Sequence, residues 1–138
     1  MARELLTATE RSRTSPAFAR RVFLIAAVYG IIVLLPQYFL EGKTGADSPP
    51  PITHPEYFYG FIGVAIAWQI VFFIIAQDPV RYRPIMLAAV LEKESFGFAT
   101  IALFLAGRLH GQMLVAGLAD LALGVFFVLA YLRTRRNP

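Results

Sequence analysis

Residues 85–106 read IMLAAVLEKESFGFATIALFLA. Such a stretch is long enough to cross ~30 Å of hydrocarbon at ~1.5 Å rise per residue. Yet Glu92, Lys93 and Glu94 stand near its middle. An ionisable group at membrane depth costs at least ~2.5–3.5 kcal/mol on insertion scales, so it faces a partner or a wet cavity rather than lipid. Reading this stretch as a surface element would leave Phe96 to Ala106 as an isolated apolar stub. It would also place the two chain ends on opposite sides. Read as a span, it completes a set of four.

The other three are uninterrupted by such a triplet. They cover residues 22–40, 57–76 and 113–132, the last carrying Asp120. Composition agrees. The chain has 138 residues, 57% hydrophobic and 16% charged, where a soluble domain carries about 25% charged residues. The expected fold is all-α, an integral membrane four-helix bundle over 22–132 with basic tails at 1–21 and 133–138. The absence of cysteine excludes disulfides and thiolate chemistry. The basic residues flank the spans, which argues for topology rather than nucleic-acid binding.

Orientation follows from those basic residues. Arg3, Arg11, Arg13, Arg20, Arg21, Arg81, Arg83, Arg133, Arg135 and Arg136 fall on one side. The other side has Lys43 and Arg108, and Lys93 lies within a span. The positive-inside rule puts both termini in the cytoplasm of a bacterial inner membrane. The loop from Glu41 to Glu56, with Pro49-Pro50-Pro51, is expected to be stiff and non-helical. Asp78-Pro79 starts a tight turn, and Pro84 suits the first turn of the next helix.

Small residues mark where membrane helices approach closely. The last span offers Met113, Gly117, Asp120, Gly124, Phe127 and Tyr131 at helical spacing. The third offers Ala88, Glu92, Ser95, Ala99, Ala102 and Ala106, which places Glu92 toward the interior. The first offers Phe23, Ala26, Gly30, Val33 and Gln37, and the second Ile62, Ala65, Gln69, Phe73 and Ala76.

Helical rise sets Gln69, Glu94 and Asp120 at ~12–18 Å from the cytoplasmic ends of their spans, in one layer. Glu92 and Lys93 lie ~2–3 Å nearer that side. The simplest network has Lys93 bridging Glu92 and Asp120, with Gln69 donating a further hydrogen bond. Glu94 then turns to another helix, a cavity or a subunit. The cluster is net acidic. It serves as a structural lock on helix register, as a ligand or proton site opening to the cytoplasmic half, or as a site shared with another subunit. Trp68 is a candidate cavity wall beside Gln69. No catalytic set emerges. His54, Glu56 and His110 match no metal pattern.

The stretch AWQIVFFIIAQDPVRYRPIMLAAVLEKESFGFA, with Asp120 in the last span, resembles a group of small uncharacterised bacterial membrane proteins. In size and four-span layout the chain is similar to the DoxX-like proteins, which include subunits associated with quinone-linked oxidoreductases. It is more distantly similar to the four-helix sterol-isomerase-type domain. The expected function is therefore a membrane protein without its own catalysis, an accessory subunit or a binder of a quinone or lipid. Its expected partners are membrane lipids and other membrane subunits or further copies of itself. A proton-coupled carrier or channel using Glu92 and Asp120 is the second reading. A membrane enzyme acting on a lipid or isoprenoid is the third.

Overall fold

The computed structural model describes residues 2–134, with side chains from residue 16 onward. All regular structure in the described residues is helical. It comprises α1 (Ala2–Leu34), a 3-10 helix (Leu35–Phe39), α2 (Glu41–Asp47), α3 (Pro55–Gln77), α4 (Arg83–Leu105) and α5 (Gly111–Arg133). Three helical stretches are long and apolar enough to cross a membrane. They are Pro16–Phe39, Pro55–Gln77 and Gly111–Arg133, with mean hydropathies of 2.1, 2.2 and 2.3. At 23 residues α4 matches α3 and α5 in length. Its Glu92-Lys93-Glu94 triplet keeps it out of that set.

The long helices begin and end where local chemistry dictates. Pro55 opens α3 and Pro84 lies in the first turn of α4, where a missing N–H leaves no bond unmade. Asp78 organises the turn between them. Its Oδ1 accepts from the Arg81 N–H at 3.1 Å, and its carbonyl accepts from Tyr82 at 3.1 Å. Helix α4 stops at Gly107, whose φ of +69° suits a residue without a Cβ. The Arg108 N–H reaches back to Leu103 O at 2.9 Å, and that of Gly107 to Phe104 O at 3.0 Å. This paired closure ends the helix sharply and lets α5 start four residues on.

Packing is uneven. Helix α4 lies most extensively on α5, and α1 on α3, with a further contact between α1 and α5; α3 and α4 meet only slightly. The α4–α5 seam is held by glycines. A Cβ on Gly117 would overlap the Thr100 side chain, and one on Gly97 would overlap Leu121. Such close backbone approach is how apolar helices gain dispersion contacts when lipid supplies no hydrophobic drive.

We call the closed end the one holding the α3–α4 turn, and the open end the one holding the α4–α5 turn and the 3-10 helix. The closed end is solid. Phe23, Phe72 and Phe127 are fully buried there. The Phe23 and Phe127 rings stack at 4.2 Å, and Phe72 meets Phe127 edge-on at 4.9 Å. Ile75, Met86 and six alanines, among them Ala26, Ala89 and Ala130, complete this core. Two arginines tie it off. The Arg83 guanidinium lies 3.7 Å from the centre of the Tyr131 ring and donates to the Tyr131 carbonyl at 3.2 Å, near the end of α5. The Arg133 guanidinium lies 4.5 Å from the centre of the Phe18 ring.

Two expectations need correction. The segment after the first apolar stretch is helical over Glu41–Asp47, and only the Pro-rich part beyond it is free of helix. The Tyr59 hydroxyl donates to Glu41 at 2.7 Å and pins α2 to α3. The buried face of α4 is Met86, Ala89, Lys93, Gly97 and Thr100. The stripe of Ala88, Ser95, Ala99, Ala102 and Ala106 is exposed. The helix is turned by about one residue, ~100°, from the orientation its alanines suggest. Gly97 admits closer approach to α5 than any alanine does.

Candidate functional site

Between the four long helices, on the open side of the aromatic core, lies a cavity of about 520 Å³. The weak α3–α4 contact leaves it room. Each wall follows a helical rhythm: Tyr29, Gly30 and Val33 from α1; Phe61, Ala65, Trp68 and Gln69 from α3; Glu92, Lys93 and Phe96 from α4; Met113, Ala116 and Asp120 from α5. Phe61 and Phe96 approach at 6.0 Å across the α3–α4 side. The walls are mostly apolar; Gln69 and the three charged groups gather at the inner end, with Gln37 and Ser95 nearer the open end.

Lys93 is the centre of that floor. Its side chain is 7% exposed, and those of Glu92 and Asp120 are 18% and 17% exposed. The Lys93 Nζ lies 3.3 Å from both Asp120 oxygens and 3.5 Å from Glu92 Oε1. Beneath it the Phe72 ring centre is 5.4 Å away. Lys93 thus bridges a neighbour on its own helix and an acid on α5. The ammonium group, which brings three donors, is thus held between two carboxylates. A buried charge is tolerable when paired and hydrogen-bonded in this way.

Gln69 behaves differently from its expected role. Its Nε2 donates to Ala65 O at 2.9 Å, one turn back on α3, and not into the charged network. Its Oε1 is buried with no hydrogen-bond partner. That oxygen lies over Gly30, where a Cβ would overlap the amide. Gly30 therefore makes the space that Gln69 occupies. Glu92 Oε2 is also buried without a hydrogen bond. It sits 3.3 Å from Lys93 Nζ, paired by charge but out of line for donation.

The structure brings five of the six candidate residues, Gln69, Glu92, Lys93, Asp120 and Trp68, to one cavity. Glu94 is apart, packed beside Gly124 of α5. Neighbours on a helix differ by ~100°, so Glu92 and Glu94 cannot share a face. The cavity extends from its polar floor toward the open end. It does not run to the closed end, where an opening to the cytoplasmic half was expected, because the aromatic core fills that space. Tyr29, Phe61, Phe96, Met113 and Ala116 were not among the candidates. Their signal was the recurrence of three- and four-residue steps from each polar residue, as in Phe61, Ala65, Trp68 and Gln69.

Elsewhere His54 Nδ1 lies 3.0 Å from Glu56 Oε1, at an exposed site before α3. Among the described residues no three His, Asp or Glu side chains gather as a metal site would need. Comparison with protein-family models, with curated proteins and with solved structures finds no match to this chain.

Proposed function

We propose that this chain is a small four-span integral membrane protein that binds a lipophilic molecule in its cavity, without catalysis of its own. The observation that carries this reading is the cavity itself. Its volume of about 520 Å³ falls in the ~300–1,000 Å³ range of small-molecule sites, and it joins apolar walls to one polar pole. A molecule with an apolar body and a polar head, of the class of a lipid or quinone, matches that division.

Membrane residence of all four helices is supported by their outward faces. Ile25 and Ile32 of α1, Ile70 of α3, Leu91 and Phe98 of α4 and Val115 of α5 are all exposed. In water so continuous an apolar surface would drive association. On this reading α4 spans too, its charges turned inward. Arginine placement puts the closed end and both termini in the cytoplasm of a bacterial inner membrane. The cavity then occupies the outer half of the bilayer. The DoxX-like layout adds a role as an accessory subunit, holding the molecule for partner membrane subunits or within a homo-oligomer. Phe23, Phe72 and Phe127 stand between the polar floor and the closed end, which weighs against a proton-coupled channel through Glu92 and Asp120.

The test is native mass spectrometry of the chain extracted in nanodiscs with its own lipids. A lipophilic molecule is expected at about one per chain, lost in Ala116→Phe, which fills the cavity. A chain that is always empty sinks the reading.

A further inference from the structure

We infer that the head group this cavity takes is cationic, and that the ligand class is a lipophilic amine. The inference rests on the cavity-binding reading and adds the sign of the charge. Glu92 and Asp120 both line the cavity, and Lys93 is the one basic residue among its lining. Two carboxylates against one ammonium leave a formal excess of one negative charge at the floor. Lys93 is already engaged by both carboxylates, with Glu92 Oε1 and both Asp120 oxygens within 3.5 Å.

The orphaned atoms point the same way. Gln69 Oε1 is buried without a hydrogen-bond partner, and Glu92 Oε2 has only its charge pairing to Lys93 Nζ at 3.3 Å. Both are acceptors. Gln69 is 1% exposed, and its other amide end is committed to Ala65 O. An unsatisfied buried acceptor is costly, and a donor arriving from the cavity relieves that cost. An ammonium group brings up to three donors together with the compensating charge. The walls suit it as well. Tyr29, Phe61, Trp68 and Phe96 present aromatic rings, which attract cations through their faces. A carboxylate head would add a like charge. A quinone brings only acceptors to a floor whose vacancies are acceptors.

The chain carries its own reporter, because Trp68 is its single tryptophan and lines the cavity. The probes are a long-chain primary amine, alcohol and carboxylate of one chain length. They are titrated into the full chain in uncharged maltoside micelles while Trp68 emission is followed, with Trp68→Phe as the blank. The amine is expected to bind about tenfold more tightly than the alcohol, the gain of a charge-assisted over a neutral hydrogen bond, and the carboxylate least. Glu92→Gln should remove most of the amine's advantage over the alcohol, since the charge it pairs with is gone. Asp120→Asn gives a second route to the same outcome should Glu92→Gln fold poorly.

Equal binding of amine and alcohol by the unaltered chain overturns the cationic inference and leaves the cavity reading standing. So does a preference for the carboxylate, or an amine advantage that survives in both variants. A response to none of the three probes overturns both readings together.

Discussion

The two ends of this molecule are built from the same residue types yet behave as opposites. At the closed end three phenylalanines from three helices meet within 4.2–5.9 Å, and small alanines fill the gaps around them. At the open end Tyr29, Phe61, Trp68 and Phe96 stand around empty space. The difference is one of helix separation. Gly97, Gly117 and Thr100 draw α4 onto α5, while α3 and α4 have no such seam and stay apart. Aromatic residues make a core where small neighbours let helices close, and walls where they do not.

The largest effect is expected from hollowing the solid end. Phe127→Ala should destabilise the fold by about 3 kcal/mol. In a lipid reference state much of the transfer free energy is absent, so the loss is mainly of packing contacts. Reversible unfolding in mixed micelles measures it. A loss below about 1 kcal/mol would mean the two ends are equally loose.

At the boundary between the ends, Lys93→Met leaves Glu92 and Asp120 facing each other without their cation. Breaking a buried pair in this way costs about 3 kcal/mol, slightly less here because the acids keep some exposure. The double variant Lys93→Met, Asp120→Asn should recover part of that loss. Additive effects in the same unfolding measurement would show that the two residues are not coupled.

The seam comes next. Gly117→Ala puts a methyl group against Thr100 and should cost about 1–3 kcal/mol by forcing α4 from α5. Thr100→Ala on the same background should restore much of it, since the clash is with that side chain. The smallest effect belongs to the hollow end. Ala116→Phe places a ring in open space and should shift stability by less than about 0.5 kcal/mol. A large destabilisation by Ala116→Phe would show that the open end is packed after all.

Much of this was legible in the chain. The expected α5 face is half-buried to buried from Gly117 through Asp120, Gly124 and Phe127 to Tyr131, because it holds the helix's only glycines after the first turn and its only acid, while Met113 at its start is exposed. The joining of Lys93 to Glu92 and Asp120 followed from charge and depth. The α4 face did not follow. Two small-residue ridges run side by side on that helix, one through Ala99 and one through Gly97, and composition alone favours the longer alanine ridge. The role of Gln69 was hidden for a similar reason. Its amide has a local partner one turn away on its own helix, and sequence does not show which acceptor is nearer.

The sequence by itself determined the four long apolar helices and the depth of the charges, since these depend on local composition and on the fixed rise of a helix. It also determined that Glu92 and Glu94 would part company, because one turn geometry governs both. Tertiary structure alone decided which ridge of α4 meets α5, where the aromatic core stops and where the cavity begins. Those outcomes depend on the distance between helix axes, and that distance is set by pairs of residues remote in the chain, such as Gly117 with Thr100 and Gly30 with Gln69.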